Sequence, residues 1–151
     1  MGIEKLTLDD ISKMKRPTLG NEVPVVIFRL LRLIGMYKIL GESAGYTLYM
    51  VGKDIGADLP VNTVDEFLSF VKEVKIGIPK ILESSEDKIV VFVEECITCS
   101  GLPNIGTMTC HLESGIIAGA IEKILKRPAK SVQTKSNASG FNGCEFEISL
   151  F

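Results

Sequence analysis

The chain has 151 residues, 46% of them hydrophobic and 24% charged, which excludes a disordered chain and permits one core without disulfide staples. Against 17 basic residues stand 19 acidic ones, a net charge of −2, so nucleic-acid binding by bulk charge is excluded and only a local basic patch could serve it. With no Trp and one His, a His-rich metal site is excluded and a Ser-His-Asp triad has a single candidate imidazole.

In chain order, residues 7–15 read as a short helix and 16–24, with two prolines and a glycine, as a loop. The expected division is an N-terminal helix and loop, 1–24, ahead of a domain over 25–151. The N-terminus has no apolar signal region, and the longest apolar stretch is broken by Arg29, Arg32 and Lys38, so no membrane span is expected. A cytoplasmic protein is the default, and its four Cys are then thiols or metal ligands rather than disulfides. Residues 25–40 read as a helix with those three charges on one side and Val25, Phe28, Leu31, Gly35 and Ile39 turned inward. A second helix over 42–55 has Ala44, Leu48, Val51 and Ile55 along one stripe. It also carries Gly45, Tyr49, Gly52 and Gly56 in a row, which suits close helix packing, a dimer interface or a pocket wall.

Thr63 and Glu66 have capping-box spacing ahead of a third helix, with Val64, Phe67, Leu68, Val71 and Val74 on its apolar face. The period then changes: 76–83 and 88–95 read as a hairpin, its first strand an edge because of Pro79. A Cys-rich loop leads to a fourth helix over 108–126, stopped by Pro128. Segments 132–136 and 143–150 form a second hairpin, in which Cys144, Phe146, Ile148 and Leu150 alternate with polar residues. The class is α+β: N-terminal helices packed on an antiparallel sheet made of two hairpins separated by a helix. No dinucleotide or P-loop string occurs.

Cys96 and Cys99 form a CxxC at a strand end, while Cys110 begins a helix and Cys144 a strand. Four thiolates satisfy a tetrahedral zinc ion, and short side chains at element ends can be aimed at one point. Four ordinary buried thiols, or a redox CxxC, are the alternatives. His111 neighbours Cys110, but adjacent helical residues diverge, so a helix-start or pocket-lining role suits it better than a Cys–His nucleophile. Glu94 and Glu95 point to opposite faces of a strand and make a poor acid–base pair.

Several strings together resemble the vinyl-4-reductase domain family, with its Bet3-like fold. These are Gly41-Glu42-x-Ala44, Gly52-x-x-x-Gly56, Glu95-Cys96, Cys110 followed by Gly115 and Gly119, and Gly140-x-x-x-Cys144-Glu145-Phe146. The resemblance covers residues 25 to the C-terminus and implies a homodimer, an apolar ligand cavity and, in many members, a zinc ion. Cys110 and Cys144 match the first and last zinc ligands of the aromatic-sensing members; Gln133 and Ser136 stand where two others belong. Ligand arithmetic offers Cys96 and Cys99 as their replacements.

The leading expectation is a non-catalytic module that binds an apolar small molecule: a hydrocarbon, a lipid chain or a tetrapyrrole. Phe28, Tyr49, Phe92 and His111 are its candidate wall residues, and zinc its expected metal. An enzyme or accessory subunit acting on a vinyl tetrapyrrole, and a zinc-stabilised assembly protein, are the competing readings; no hydride-donor site supports the enzyme.

Overall fold

A computed structural model describes residues 2–151. Among the described residues five α-helices precede the sheet: α1 (Leu8–Ser12), α2 (Val25–Arg29), α3 (Met36–Leu40), α4 (Ala44–Asp58) and α5 (Val64–Glu73). Strands β1 (Ile78–Ser84) and β2 (Lys88–Glu94) follow, then α6 (His111–Leu125), β3 (Ala129–Lys135) and β4 (Cys144–Leu150). The class is the expected α+β. The sheet is antiparallel in the order β1-β2-β4-β3, so the hairpins join through their inner strands and β1 is an edge, as Pro79 requires.

Inward residues Ile89, Val91 and Val93 of β2 and Phe146 and Ile148 of β4 meet Ile116, Ile117, Ala120 and Ile121 of α6. Phe67 and Val71 of α5 close the same core. Thr63 caps α5 by accepting from the Glu66 amide, while the Glu66 carboxylate reaches one residue past the expected partner, to the Asn62 amide at 2.7 Å. Helix α6 is buried without interruption from Glu113 to Ile121, because the sheet covers one side and α4 the other.

The α4–α6 contact explains the glycine row. A Cβ on Gly52 would strike Leu112 O and lie 2.9 Å from Ile116 N; one on Gly115 would strike Tyr49 O and lie 2.9 Å from Lys53 N. Gly56 and Gly119 repeat the pattern one turn on. Gly52 and Gly56 therefore serve backbone-to-backbone packing within the chain, whereas Gly45 faces the His111 side chain. The buried stripe of α4 is Ala44, Leu48, Gly52 and Gly56; Val51 and Ile55, expected on one stripe with Ala44 and Leu48, are exposed.

The largest correction concerns residues 25–40. They form a helical run in which a π-helical segment (Leu30–Gly35) joins α2 to α3. The expected polarity is overturned at most positions: among the described residues of this run Arg32 alone is buried, while Leu31 is 65% and Ile39 85% exposed; Lys38 is exposed as expected. Val25 is exposed too, and Phe28 and Gly35 are half-buried. The inversion follows from partners far along the chain, which give Arg29 and Arg32 acceptors that water would otherwise supply. Residues 3–27 are exposed throughout. No helix among the described residues is long and apolar enough to cross a membrane.

Candidate functional site

The four cysteines meet at one corner. Glu95, in the left-handed region at φ 52°, turns the chain out of β2, and the turn that follows carries Cys96 and Cys99. Cys110 is the N-cap of α6, and Cys144 opens β4. All four are 0–1% exposed. The sulfurs of Cys96 and Cys110, and of Cys110 and Cys144, are 3.6 Å apart; those of Cys99 and Cys144 are 2.8 Å apart. All lie within 4.8 Å of one another.

A tetrahedral ion with Zn–S bonds of about 2.3 Å places its sulfurs about 3.8 Å apart, so the set fits such an ion with small adjustments. The thiols of Cys110, Cys144 and Cys96 converge on Cys99 and favour its thiolate, whereas Cys110, crowded by the Cys144 and Cys96 sulfurs, holds its proton. A centre closed by four protein sulfurs leaves no open position, which suits a structural rather than a catalytic metal.

Polar groups brace this corner. Gln133 Oε1 accepts from the Cys110 amide at 3.0 Å, and Asn137 Oδ1 accepts from the Cys99 thiol at 3.5 Å. Ser136 is buried and caps the turn after β3 by accepting from the Ala138 amide. Gln133 and Ser136 thus stand beside the cluster as supports. Arg29 donates through Nε to Ile97 O and through Nη2 to Ser100 O, both at 2.8 Å. Arg32 Nη2 donates to Thr109 O at 3.2 Å and to Glu113 Oε2 at 3.3 Å, and Thr98 donates to the other oxygen of Glu113. Burial raises the Glu113 pKa against the opposing pull of Arg32 and Thr98.

Sequence reasoning missed these three charged residues. Their signal was charge inside otherwise apolar helices: two arginines three apart in VVIFRLLRLIG, and a glutamate amid the small and apolar residues of HLESGIIAGA.

Beside the cysteine corner runs a cleft of about 910 Å³, lined by Leu33, Tyr37, Leu102, Ile105, Met108 and His111 among others. A second hollow of about 420 Å³ shares Gly45, Met108 and His111 with it and adds Tyr49. Two of the four candidate wall residues, Tyr49 and His111, therefore stand together. The Tyr49 hydroxyl also accepts from the Ser131 amide at 3.2 Å, tying α4 to β3. Burial, then the Arg32 charge, lowers the His111 pKa and favours a neutral imidazole. Phe92 lies on the other face of the sheet, over Gly143 and 5.7 Å from Lys80 Nζ, away from both hollows. Phe28 lines neither. A third, apolar cavity of about 20 Å³ between α5, α6 and the sheet has the volume of one water.

Residues 25–148 match the family described as "Protein of unknown function (DUF2507)". The chain belongs to the DUF2507 family. Two relatives come from Methanocaldococcus jannaschii. Uncharacterized protein MJ0150 is 34% identical over 97% of this chain and 88% of its own length; uncharacterized protein MJ1642 is 36% identical over 87% and 81%.

This DUF2507 chain shares its fold with three solved structures. A vinyl-4-reductase family protein from Methanocaldococcus jannaschii matches with a TM-score of 0.68 at 20% identity, over 88% of this chain and 85% of that one. The phenol-responsive sensory domain of the transcription activator PoxR, solved with phenol, matches at 0.64 and 11% identity, over 85% and 75%. A trafficking protein particle complex subunit 3 from Naegleria fowleri, covalently bound to palmitic acid, matches at 0.60 and 14% identity, over 84% and 95%. The fold implied by the sequence resemblance is the fold observed.

Proposed function

We propose that this DUF2507 chain is a non-catalytic module that binds an apolar small molecule, works as a homodimer, and holds a structural zinc on Cys96, Cys99, Cys110 and Cys144. The observation that carries the binding role is the cleft at Tyr37, Met108 and His111: it has the volume of a ligand site, mostly apolar walls and few polar groups. Fold neighbours that hold phenol and palmitic acid support the same class of ligand. Sulfur ligation in a closed, buried set favours zinc over harder cations. The homodimer rests on the outward apolar face of residues 25–40, where Val26, Ile27, Leu30, Leu31 and Ile34 are each about half exposed or more.

The test is a thermal-shift screen of phenols, fatty acids and tetrapyrroles, repeated on Gly45→Leu. Ligand bound only to the native state adds about 2.7 kcal/mol at a hundredfold excess over Kd. Gly45 borders both hollows, and a Cβ there would lie 3.2 Å from His111 Nε2. The larger side chain should intrude where the two hollows meet and reduce the shift while the fold persists. No shift with any of the three classes would overturn the binding role.

A further inference from the structure

We infer that metal binding at the four cysteines docks the helical run 25–40 onto the body of the domain, with Arg29 and Arg32 as the residues that sense the metal-bound turn. The inference rests on the metal site proposed above.

The run 25–40 has no apolar anchor in the core. Its single buried side chain among the described residues is Arg32; Val26, Ile27, Leu30, Leu31 and Ile34 are exposed, and Phe28, Leu33, Met36, Tyr37 and Leu40 are only half-buried. What holds it near the cysteines is largely polar: Arg29 meets the short turn 96–100, while Arg32 donates to Thr109 O at 3.2 Å, just ahead of Cys110. Arg29 reaches Ile97 O and Ser100 O at 2.8 Å, and Cys96 O at 3.5 Å. These carbonyls meet one planar guanidinium only while the turn keeps its present shape. Arg32 reaches the same turn by a second route, through Glu113 to the hydroxyl of Thr98, which lies between the two cysteines of the CxxC. Both residues between Cys96 and Cys99 are thus tied to the helical run, Ile97 by its carbonyl and Thr98 by its side chain.

An ion that gathers Cys96 and Cys99 fixes that turn and presents its carbonyls together. Four thiolates around a divalent cation also carry net negative charge, which attracts the two arginines through a buried medium where such attraction is weakly screened. Without the ion both effects are lost, and the run keeps only the Arg32 bond to Thr109 O and its half-buried apolar side chains, Phe28, Leu33, Met36, Tyr37 and Leu40. Leu33 and Tyr37, which line the large cleft, travel with it, so metal occupancy governs one wall of the cleft. By linkage, the factor by which metal favours the docked helix equals the factor by which docking favours metal.

The experiment is hydrogen exchange and zinc competition on the full chain, unmutated and as Arg29→Ala, Arg29→Lys and Thr98→Val. Loaded Arg29→Ala should retain one zinc per chain. Amides of 25–40 should exchange about tenfold faster or more, zinc affinity should fall about 5- to 150-fold, and α4 and α6 should stay protected. Thr98→Val should move both readouts the same way, and Arg29→Lys should restore them in part, since lysine donates but cannot fork. If Arg29→Ala and Thr98→Val leave exchange and affinity unchanged in a chain that binds zinc, the coupling is wrong and the metal site stands. If the unmutated chain binds no zinc, the site fails and the coupling with it. Should chelation unfold the whole chain, the loaded variants still decide.

Discussion

The Arg32 guanidinium donates to Glu113 Oε2 at 3.3 Å with both side chains nearly sealed from solvent, yet Arg32 Nε and Nη1 find no acceptor among the described residues. The two partners are unequal in how they survive separation. Glu113, its pKa already raised by burial, can take up a proton and keep its bond with Thr98. A guanidinium cannot shed its charge. Glu113→Ala should therefore cost about 3–5 kcal/mol, the usual penalty for an uncompensated buried ion, and Arg32→Met clearly less. Urea-unfolding midpoints of the two variants check the order; equal losses would contradict it.

Serine at any one of Cys96, Cys99, Cys110 or Cys144 should lower zinc content and melting temperature together, because forming such a site is part of folding. Elemental analysis beside calorimetry measures both. Loss of stability with no zinc in the unmutated chain would mean that the four are only core thiols.

The dimer prediction no longer leans on the glycines of α4, which are occupied within the chain. It leans on Leu31 and Ile34, 65% and 60% exposed. Light scattering should give twice the chain mass of 16.5 kDa, and Leu31→Glu with Ile34→Glu should halve it without lowering the stability of the monomer.

Gly115→Ala places a methyl group against the Tyr49 carbonyl, which is backbone and has nowhere to move without shifting α4. Overpacking of this kind costs about 1–3 kcal/mol. The same reasoning turns Gly52→Leu into a test of packing: it should lower the melting temperature in the absence of any ligand.

Glu122 offers a pH dependence away from the cysteines. Its carboxylate accepts from the Ala129 amide at 2.9 Å and pairs with Lys53 at 3.1 Å, and the amide bond first, then Lys53, hold its pKa below the ordinary range. The folded state therefore favours the anion. This contribution is complete above the ordinary glutamate pKa, about 4.3, and disappears as pH falls through the lower folded value. Glu122→Gln should be less stable than the unmutated chain at neutral pH and converge with it in acid.

Where one local period decided the outcome, the sequence was legible. Cys144, Phe146, Ile148 and Leu150 alternate with polar residues, and β4 faces the core as that alternation requires. On β2 both faces are apolar through the middle, Ile89, Val91 and Val93 against Val90 and Phe92, so nothing local said which way Phe92 points; pairing with β4 decides it. The run 25–40 misled because an arginine turns inward only if acceptors await it, and those of Arg29 lie about 70 residues away in the chain. The four cysteines were found because sulfur has few other uses in such number, whereas Arg32 and Glu113 gained meaning only when folding brought them together.

The two edges of the sheet also constrain how copies of this chain can meet. Strand β1 carries Pro79 and a register shift between Ile81 and Glu83, and β3 has its own shift between Gln133 and Lys135. An incoming strand would find neither edge straight, and at Pro79 it would meet no amide to pair with. The fold therefore resists growth by strand addition at both ends, and an open four-stranded sheet stays finite.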